Sequence, residues 1–357
     1  FIFCIFFDHI GILKYKKNMG NVIKLVKNKY QGDEPIQNLL SLIQKDFSKV
    51  DEIINKQVIS EINRIPDISN HIIGLGGKRL RPILTLTTSK ICNYKGSMHI
   101  KLAAAVELMH TATLLHDDVV DDSDIRRGKS ASHIIWDNKS SILVGDFLLG
   151  KAFQLMVETK SLECLKNLSS ASAKIAEGEV MQLIASDNIK TTEDQYMKII
   201  ESKTAELFST ACVVGALISK SKKEEIDALI SFGKNLGIAF QLKDDALDYS
   251  GEKDSLGKNI GEDFLEGKVT LPIILAYRRG NDSEREFLTN AFNNKIRNKD
   301  LLKEANKIIN KHKTLDDTLE KAHHHGRIAK DALAIFPETK FKDSLMRLVD
   351  FSIIRSH

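Results

Sequence analysis

At 357 residues the chain is long enough for one large domain or two average ones, and 42% hydrophobic with 28% charged residues is the balance of an ordinary globular protein. The net charge of +4 is small for this length and comes mostly from scattered lysines, so nucleic-acid binding has little support. Cys4, Cys92, Cys164 and Cys212 form no Cys-x-x-Cys pair, which implies neither zinc nor a disulfide framework and fits small buried hydrophobes in a reducing, cytoplasmic compartment.

Residues 1–7 are an unbroken apolar run, too short to span a bilayer. Met19 makes a sensible start, so residues 1–18 read as upstream sequence. The rival reading of 9–32, with six lysines and no acid, is a targeting or membrane-surface segment, although the Arg and Ser that transit peptides favour are missing. Residues 1–35 are thus expected to be an N-terminal extension and 36–357 one domain. No proline lies between Pro82 and Pro272, and that stretch carries Leu, Ile, Ala, Lys and Glu at helical spacing, with no hairpin signal. The fold class expected is all-α. The spacing predicts an amphipathic helix over 36–65, a Gly-rich loop over 74–82, and a helix over 98–121. A loop over 124–138 follows, then helices over 140–157, 162–186, 193–219, 224–248 and 270–279. The Gly- and charge-rich stretch 251–267 reads as a mobile flap, and 284–352 as further amphipathic helices. His323, His324 and His325 are consecutive, so on a helix they point about 100° apart and cannot share one ion. They read as a solvated face.

Two acidic motifs carry the chemistry: Asp117, Asp118 and Asp121, and again Asp244, Asp245 and Asp248. On a helix the first and fifth residues of such a motif stand one turn apart on one face. Like charges so placed repel by roughly 0.2–0.5 kcal/mol per pair. A hard divalent cation offsets that repulsion, and Mg2+ prefers carboxylate oxygen and bridges protein to substrate phosphate. Basic residues follow each motif, Arg126 and Arg127 after the first, Lys258 and Lys268 after the second. Carboxylates, Mg2+ and Arg or Lys together make a diphosphate site. His110 lies seven residues before Asp117, about two turns along the same face.

Five blocks then resemble the all-trans polyprenyl diphosphate synthases of the bacterial long-chain, octaprenyl kind: GGKRLRP at 76–82, LLHDDVVDDSDIRRG at 114–128, KTAELF at 203–208, FQLKDDALDYSG at 240–251 and GKNIGEDFLEGKVTLP at 257–272. The resemblance covers roughly 36–352 and implies a single helical bundle around a central cavity, with the two acidic motifs facing each other. It implies repeated condensation of isopentenyl diphosphate with an allylic diphosphate, farnesyl or similar, through an allylic cation that needs a dry apolar pocket. By the same resemblance Asp117, Asp121 and Asp244 are the principal ligands of Mg2+, three ions per site. Asp118 and Asp248 help by hydrogen bonds or ligation, Asp245 belongs to the acidic site, and Lys203 completes the catalytic set. Lys78, Arg81, His110 and Arg127 are expected to hold isopentenyl diphosphate, and Arg126, Lys203 and Lys258 the allylic diphosphate. Thr204 and Gln241 line the reacting centre, and Lys268 is a further phosphate contact. Lys243 departs from the apolar residue common at that position, and Asp122 and Asp124 are extra loop acids.

In such enzymes bulky residues just before the first motif form the floor of the tail pocket. Here Ala112 and Thr113 are small, which moves the floor to Phe147, Phe153 and Met156 and implies a long product, octaprenyl first and nona- or decaprenyl next, of the kind that becomes a quinone side chain. The alternatives are a geranylgeranyl diphosphate synthase and a non-catalytic subunit of a heteromeric synthase. A class I terpene cyclase lacks the paired Lys78 and Arg81. The implied assembly is a homodimer, with transient membrane-surface contact for product release.

Overall fold

The structure, a computed structural model, describes residues 34–250, 261–293 and 297–354. Helix α1 (Glu34–Gln57) buries Ile36, Leu39, Ile43, Phe47, Val50 and Ile54, one side chain every three to four residues, along a single stripe. It stops well short of the expected 65, because the chain turns and restarts as α2 (Arg64–Gly74). Pro66 sits in the first turn of α2, where its missing N–H has no helical partner to lose.

The central helices α3 (Leu80–Ile91), α4 (Met98–Val120) and α9 (Glu206–Ile218) are buried almost all round, and α10 (Lys223–Tyr249) is buried mainly over its second half. Around them lie α6 (Asn138–Glu158), α7 (Leu162–Ala185), α15 (Thr314–Ala332) and α16 (Lys340–Ile354). The main pairings are α4 with α6, α9 with α3 and α10, and α10 with α15. A first apolar core joins α1, α3, α4, α6, α9 and α16. A second lies beyond α10 and joins α8 (Glu193–Ile200), α12 (Leu271–Arg279), α13 (Asp282–Asn293) and α14 (Lys299–Lys311).

Further expectations change in detail. The segment 124–138 is not all loop. It holds a two-stranded antiparallel ladder, β1 (Ile125–Arg126) with β2 (Lys129–Ser130), and a short helix α5 (Ser132–Ile135). Arg127 and Gly128, both at positive φ, make the tight turn that a two-residue hairpin requires. The helix expected over 193–219 is interrupted by a π turn at Glu201–Ala205. The described part of the flap, 261–267, is seated rather than loose: α11 (Glu262–Leu265) buries Phe264, whose ring meets Phe292 edge to face.

His323 and His324 are exposed, but His325 turns inward and bonds Asn235 of α10 through Nδ1 at 2.8 Å, so that face is not wholly solvated. Cys164 and Cys212 are buried and Cys92 half-buried; Cys4 lies outside the described residues. Among the described residues one helix, α6, has the length and apolarity of a membrane span, and it packs against α4 within the bundle.

Candidate active site

The first acidic motif occupies the last turn of α4. Asp118 is 1% exposed and its charge is met by Arg126 of β1, whose Nε donates to Oδ1 at 2.6 Å, while its buried Oδ2 has no hydrogen-bond partner. The hairpin therefore folds back over the helix end and carries Arg126 to the site. Asp121, at the C-cap, accepts from Lys268 Nζ at 2.9 Å, and Lys268 also pairs with Glu266 at 2.7 Å. Against a burial that would lower its pKa, Asp121, Asp263 and Glu266 hold the Lys268 ammonium firmly charged. Asp117 is pushed well up from the ordinary carboxyl range by burial, with Glu179 and Asp121 adding to the effect and Lys203 opposing it.

A basic cluster lies beside this motif. The loop before α3 has Gly76, Gly77 and Arg79 at positive φ, which turns the chain sharply and lets another group approach the backbone. The Arg127 guanidinium takes that space: a Cβ on Gly77 would stand 2.6 Å from Nη1. Arg81 donates to His110 Nε2 at 3.1 Å, and its guanidinium lies 4.6 Å from the centroid of the Phe208 ring. Burial lowers Arg81 to about 10, still charged at neutral pH. Burial, then Arg81, Arg127 and Arg126, keep His110 neutral. Arg79, which the sequence does not single out, reaches Glu107 at 3.2 Å and Asp51 at 3.7 Å and fastens the loop to α4 and α1.

The second motif lies near the end of α10. Asp245 is buried and fully engaged: Tyr196 OH donates to Oδ2 at 2.5 Å, Gln241 Nε2 donates to Oδ1 at 2.7 Å, and Gln241 Oε1 accepts from Thr204 Oγ1 at 2.8 Å. Burial raises the Asp245 carboxyl, against the pull of Tyr196 and Gln241. Asp248 is buried as well. It accepts from the Asp263 backbone N–H at 3.1 Å, while its own carbonyl accepts from Gly261 N–H at 2.9 Å, so it shapes the chain entering α11. Asp244 is half-buried, and Lys268, which pairs with Asp121, lines the same cavity as Asp245, so the two motifs border one space.

The π turn places Lys203 and Thr204 between them. Two glycines make room for its extra girth: a Cβ on Gly178 would lie 2.6 Å from Lys203 N, and one on Gly237 2.6 Å from Ala205 Cα. Lys203 Nζ donates to Glu179 Oε2 at 2.7 Å. A cavity of about 120 Å³ is lined by Gln182, Lys203, Thr204, Gln241, Asp245 and Lys268.

The structure thus brings Arg81 to His110 and Arg127 to the Gly77 loop in which Lys78 stands, and sets Arg126, Lys203 and Lys268 on Asp118, Glu179 and Asp121. Lys258 lies outside the described residues. Ala112 is 2% exposed, Thr113 donates to the His110 carbonyl at 2.9 Å, Phe147 and Phe153 are half-buried, and Met156 is fully buried. Glu107, Glu179, Tyr196 and Asp263 belong to the site's polar network and were not anticipated. Glu179 stands in an ordinary amphipathic helix, and only the acid beside a glycine that a bulged helix needs would have pointed to it.

Among the described residues no three His, Cys, Asp or Glu side chains converge as a ready-made metal site. The donor set is nevertheless all hard carboxylate oxygen, suited to Mg2+ ions that keep waters and take phosphate oxygens as further ligands.

Residues 62–309 match the polyprenyl synthetase family model. The chain is 38% identical over 322 residues to octaprenyl diphosphate synthase of Haemophilus influenzae, covering 90% of this chain and 98% of that protein. It is 38% identical over 320 residues to the geranyl-diphosphate-specific all-trans-nonaprenyl-diphosphate synthase of Rhodobacter capsulatus, covering 89% and 98%. Among solved structures, the polyprenyl synthase of Caulobacter crescentus in complex with calcium and isoprenyl diphosphate superposes with a TM-score of 0.87 at 44% identity, over 90% of this chain and 98% of that one. With both acidic motifs, both basic clusters and the helical bundle in place, the chain belongs to the polyprenyl synthetase family and is a prenyltransferase, a polyprenyl diphosphate synthase.

Proposed function

We propose that this enzyme makes a long-chain all-trans polyprenyl diphosphate, octaprenyl in the first instance, for a quinone side chain, by adding isopentenyl diphosphate stepwise to an allylic diphosphate such as farnesyl. The observation that carries the reading is that cationic side chains gather at the acidic motifs in two ways, Arg81 on neutral His110 and Arg126, Lys203 and Lys268 on carboxylates. Lys78, Arg81 and Arg127, with neutral His110 accepting from Arg81, suit a diphosphate that stays bound. Arg126, Lys203 and Lys268 suit a diphosphate that leaves, since each rests on a carboxylate it can exchange for phosphate oxygen: Asp118, Glu179 and Asp121.

Asp117, Asp121 and Asp244 would hold Mg2+, three ions with substrate present. When bound, Mg2+ supplies positive charge to the departing diphosphate. Asp118 sets the angle of Arg126, and Asp248 sets the turn into α11. Asp245 fixes Gln241, and through it the Thr204 hydroxyl, beside the reacting carbon. Buried apolar residues of α4 and α6 keep water from the allylic cation. The absence of a bulky side chain at Ala112 and Thr113 supports a deep tail pocket, with Phe147, Phe153 and Met156 as its floor.

A homodimer is supported by exposed apolar side chains on one helical hairpin. Ile142 and Leu143 near the start of α6 and Val180, Leu183 and Ile184 near the end of α7 fall at the same end of this antiparallel pair. The product's long tail favours transient contact with a membrane surface at release.

The test is incubation of the full chain with farnesyl diphosphate, labelled isopentenyl diphosphate and Mg2+, followed by chromatography of the product. One long product, lost on chelation, is expected. A geranylgeranyl product would move the floor upward, and no incorporation would make the chain one subunit of a heteromeric synthase.

A further inference from the structure

Arg297 stands just ahead of α14, where Asn298 caps the helix by accepting from the backbone N–H groups of Asp300 and Leu301. The Arg297 side chain is 5% exposed and ties three separate segments together. Its Nη1 forms an ion pair with Asp187 at 2.6 Å, its Nε donates to the Leu265 carbonyl at 3.3 Å, and Nη1 also donates to the Phe292 carbonyl at 3.3 Å. Asp187 lies just past the end of α7 and donates its own N–H to the Gly267 carbonyl at 2.9 Å. Gly267 is enclosed by the pair, since a Cβ there would stand 2.2 Å from Asp187 Oδ1 and 2.4 Å from Arg297 Nη2. Both Gly267 and Asp187 have positive φ, a region that glycine adopts freely and Asp more readily than most residues. The next residue is Lys268. Its N–H donates to the Asp263 carbonyl at 2.7 Å, and its Nζ reaches Asp121 of the first acidic motif at 2.9 Å.

We propose that Arg297 and Asp187 are positioning residues for the known reaction: together they fix the backbone at residues 265–267, and so the point from which Lys268 reaches the allylic diphosphate. Lys268 needs a fixed starting point. A lysine stem has many rotamers, so its ammonium meets a chosen oxygen only if the Cα stays in place. To bind substrate, Nζ exchanges Asp121 for a phosphate oxygen, and the backbone beneath it must not follow the side chain. The anchor suits this task because it leaves the charge of Lys268 alone. Arg297 and Asp187 compensate each other, and neither lines the cavity that Lys268 lines. The chemistry also calls for arginine at 297. A planar guanidinium with five N–H donors serves a carboxylate and two carbonyls at once, which the single point charge of a lysine does not. The anchor is itself steadied from behind, since the guanidinium lies 5.5 Å from the centroid of the Phe292 ring, and that ring meets Phe264 of α11 edge to face.

This inference rests on the assignment of Lys268 to the allylic diphosphate, and the experiment separates the two. Steady-state kinetics of the full chain are measured with farnesyl diphosphate varied at saturating isopentenyl diphosphate, and the reverse, for Arg297→Leu, Lys268→Gln and the Arg297→Leu/Lys268→Gln double variant. Arg297→Leu should lower kcat/KM for farnesyl diphosphate about ten-fold, the scale of one weakened charge-assisted hydrogen bond, with no matching loss for isopentenyl diphosphate. In the Lys268→Gln background Arg297→Leu should add nothing. If it adds its full effect there, or lowers kcat/KM equally for both substrates, the arginine acts by packing alone and the proposal falls. If Lys268→Gln lowers kcat/KM for farnesyl diphosphate and Arg297→Leu does not, Arg297 does not position the lysine, and the proposal falls while the assignment of Lys268 stands. If Lys268→Gln leaves this kcat/KM unaltered, that assignment itself fails and takes the inference with it. Should Arg297→Leu not fold, Asp187→Asn is read by the same criteria, because it removes the charge of the ion pair and keeps a side chain that tolerates positive φ.

Discussion

At the scale of single residues, the acidic motifs divide their labour by burial. Asp118 and Asp245 sit beside Asp117 and Asp244 in sequence, yet burial turns them to other tasks. Asp118 is closed off by Arg126, so Asp118→Ala would leave a guanidinium largely desolvated and without its carboxylate. Loss of one partner of a buried pair costs about 3 kcal/mol at the lower end of the usual range. Denaturant unfolding should show that loss, together with a raised KM for the allylic substrate, because Arg126 no longer has a fixed angle. Ala112 yields a different prediction. It is buried in α4, one turn before the first motif. Ala112→Phe should shorten the product while the first condensation proceeds, as read by product chromatography; a product of unaltered length would place the tail elsewhere. The motif residues themselves were legible in the sequence, because repeated carboxylates with nearby Arg and Lys state a chemistry whatever the fold. Which acid pairs with which base was not. The link between Asp118 and Arg126 depends on a two-residue hairpin whose turn uses Arg127, a residue without the Asn or Gly preference that signals such turns.

At the scale of elements, the π turn at Glu201–Ala205 shows why helix periodicity alone misled. The apolar spacing over 193–219 is that of one helix, and the chain does run as one. An inserted residue widens it locally, and with it Lys203 and Thr204 turn toward the acidic space. The signal lay in other helices, at Gly178 of α7 and Gly237 of α10, which have no side chain where the turn bulges. Gly237→Ala should therefore act on the site rather than on the core. Its Cβ would meet backbone at Ala205, which can only move away, at about 1–3 kcal/mol for overpacking. The expected outcome is a fold with near-native helicity by circular dichroism and a kcat lowered at least ten-fold, as Thr204 and Lys203 shift together. A native kcat would mean that the π turn has no part in placing them. For 261–267, the described part of the expected flap, the structure differs for a related reason, while 251–260 lie outside the described residues. The Gly and charge content reads as loop, yet Phe264 anchors the 261–267 stretch and Asp248 fixes its entry, both through contacts distant in sequence.

At the scale of the whole molecule, the all-α class was plain from the proline-free middle of the chain, and the helix order with it. What the sequence could not show is the division into two cores on either side of α10, since α12, α13 and α14 have the same amphipathic pattern as helices of the first core. The arrangement has a consequence for assembly. The second core covers one flank of α10, and α15 and α16 cover another, while the α6–α7 hairpin keeps Ile142, Leu143, Val180, Leu183 and Ile184 at the surface. An apolar area of this kind on a charged protein suits the proposed homodimer, whose self-complementary two-fold contact would need only this one face. Because α6 also packs on α4, the helix of the first acidic motif, a partner copy would stiffen the wall along which the tail grows. Leu143→Asp, combined with Leu183→Asp, should halve the mass measured by light scattering and lower the average product length, since a loosened α6 lets the elongating product escape earlier. A monomer that still makes a product of full length would separate assembly from chain-length control and leave Ala112 and its surroundings as the determinant.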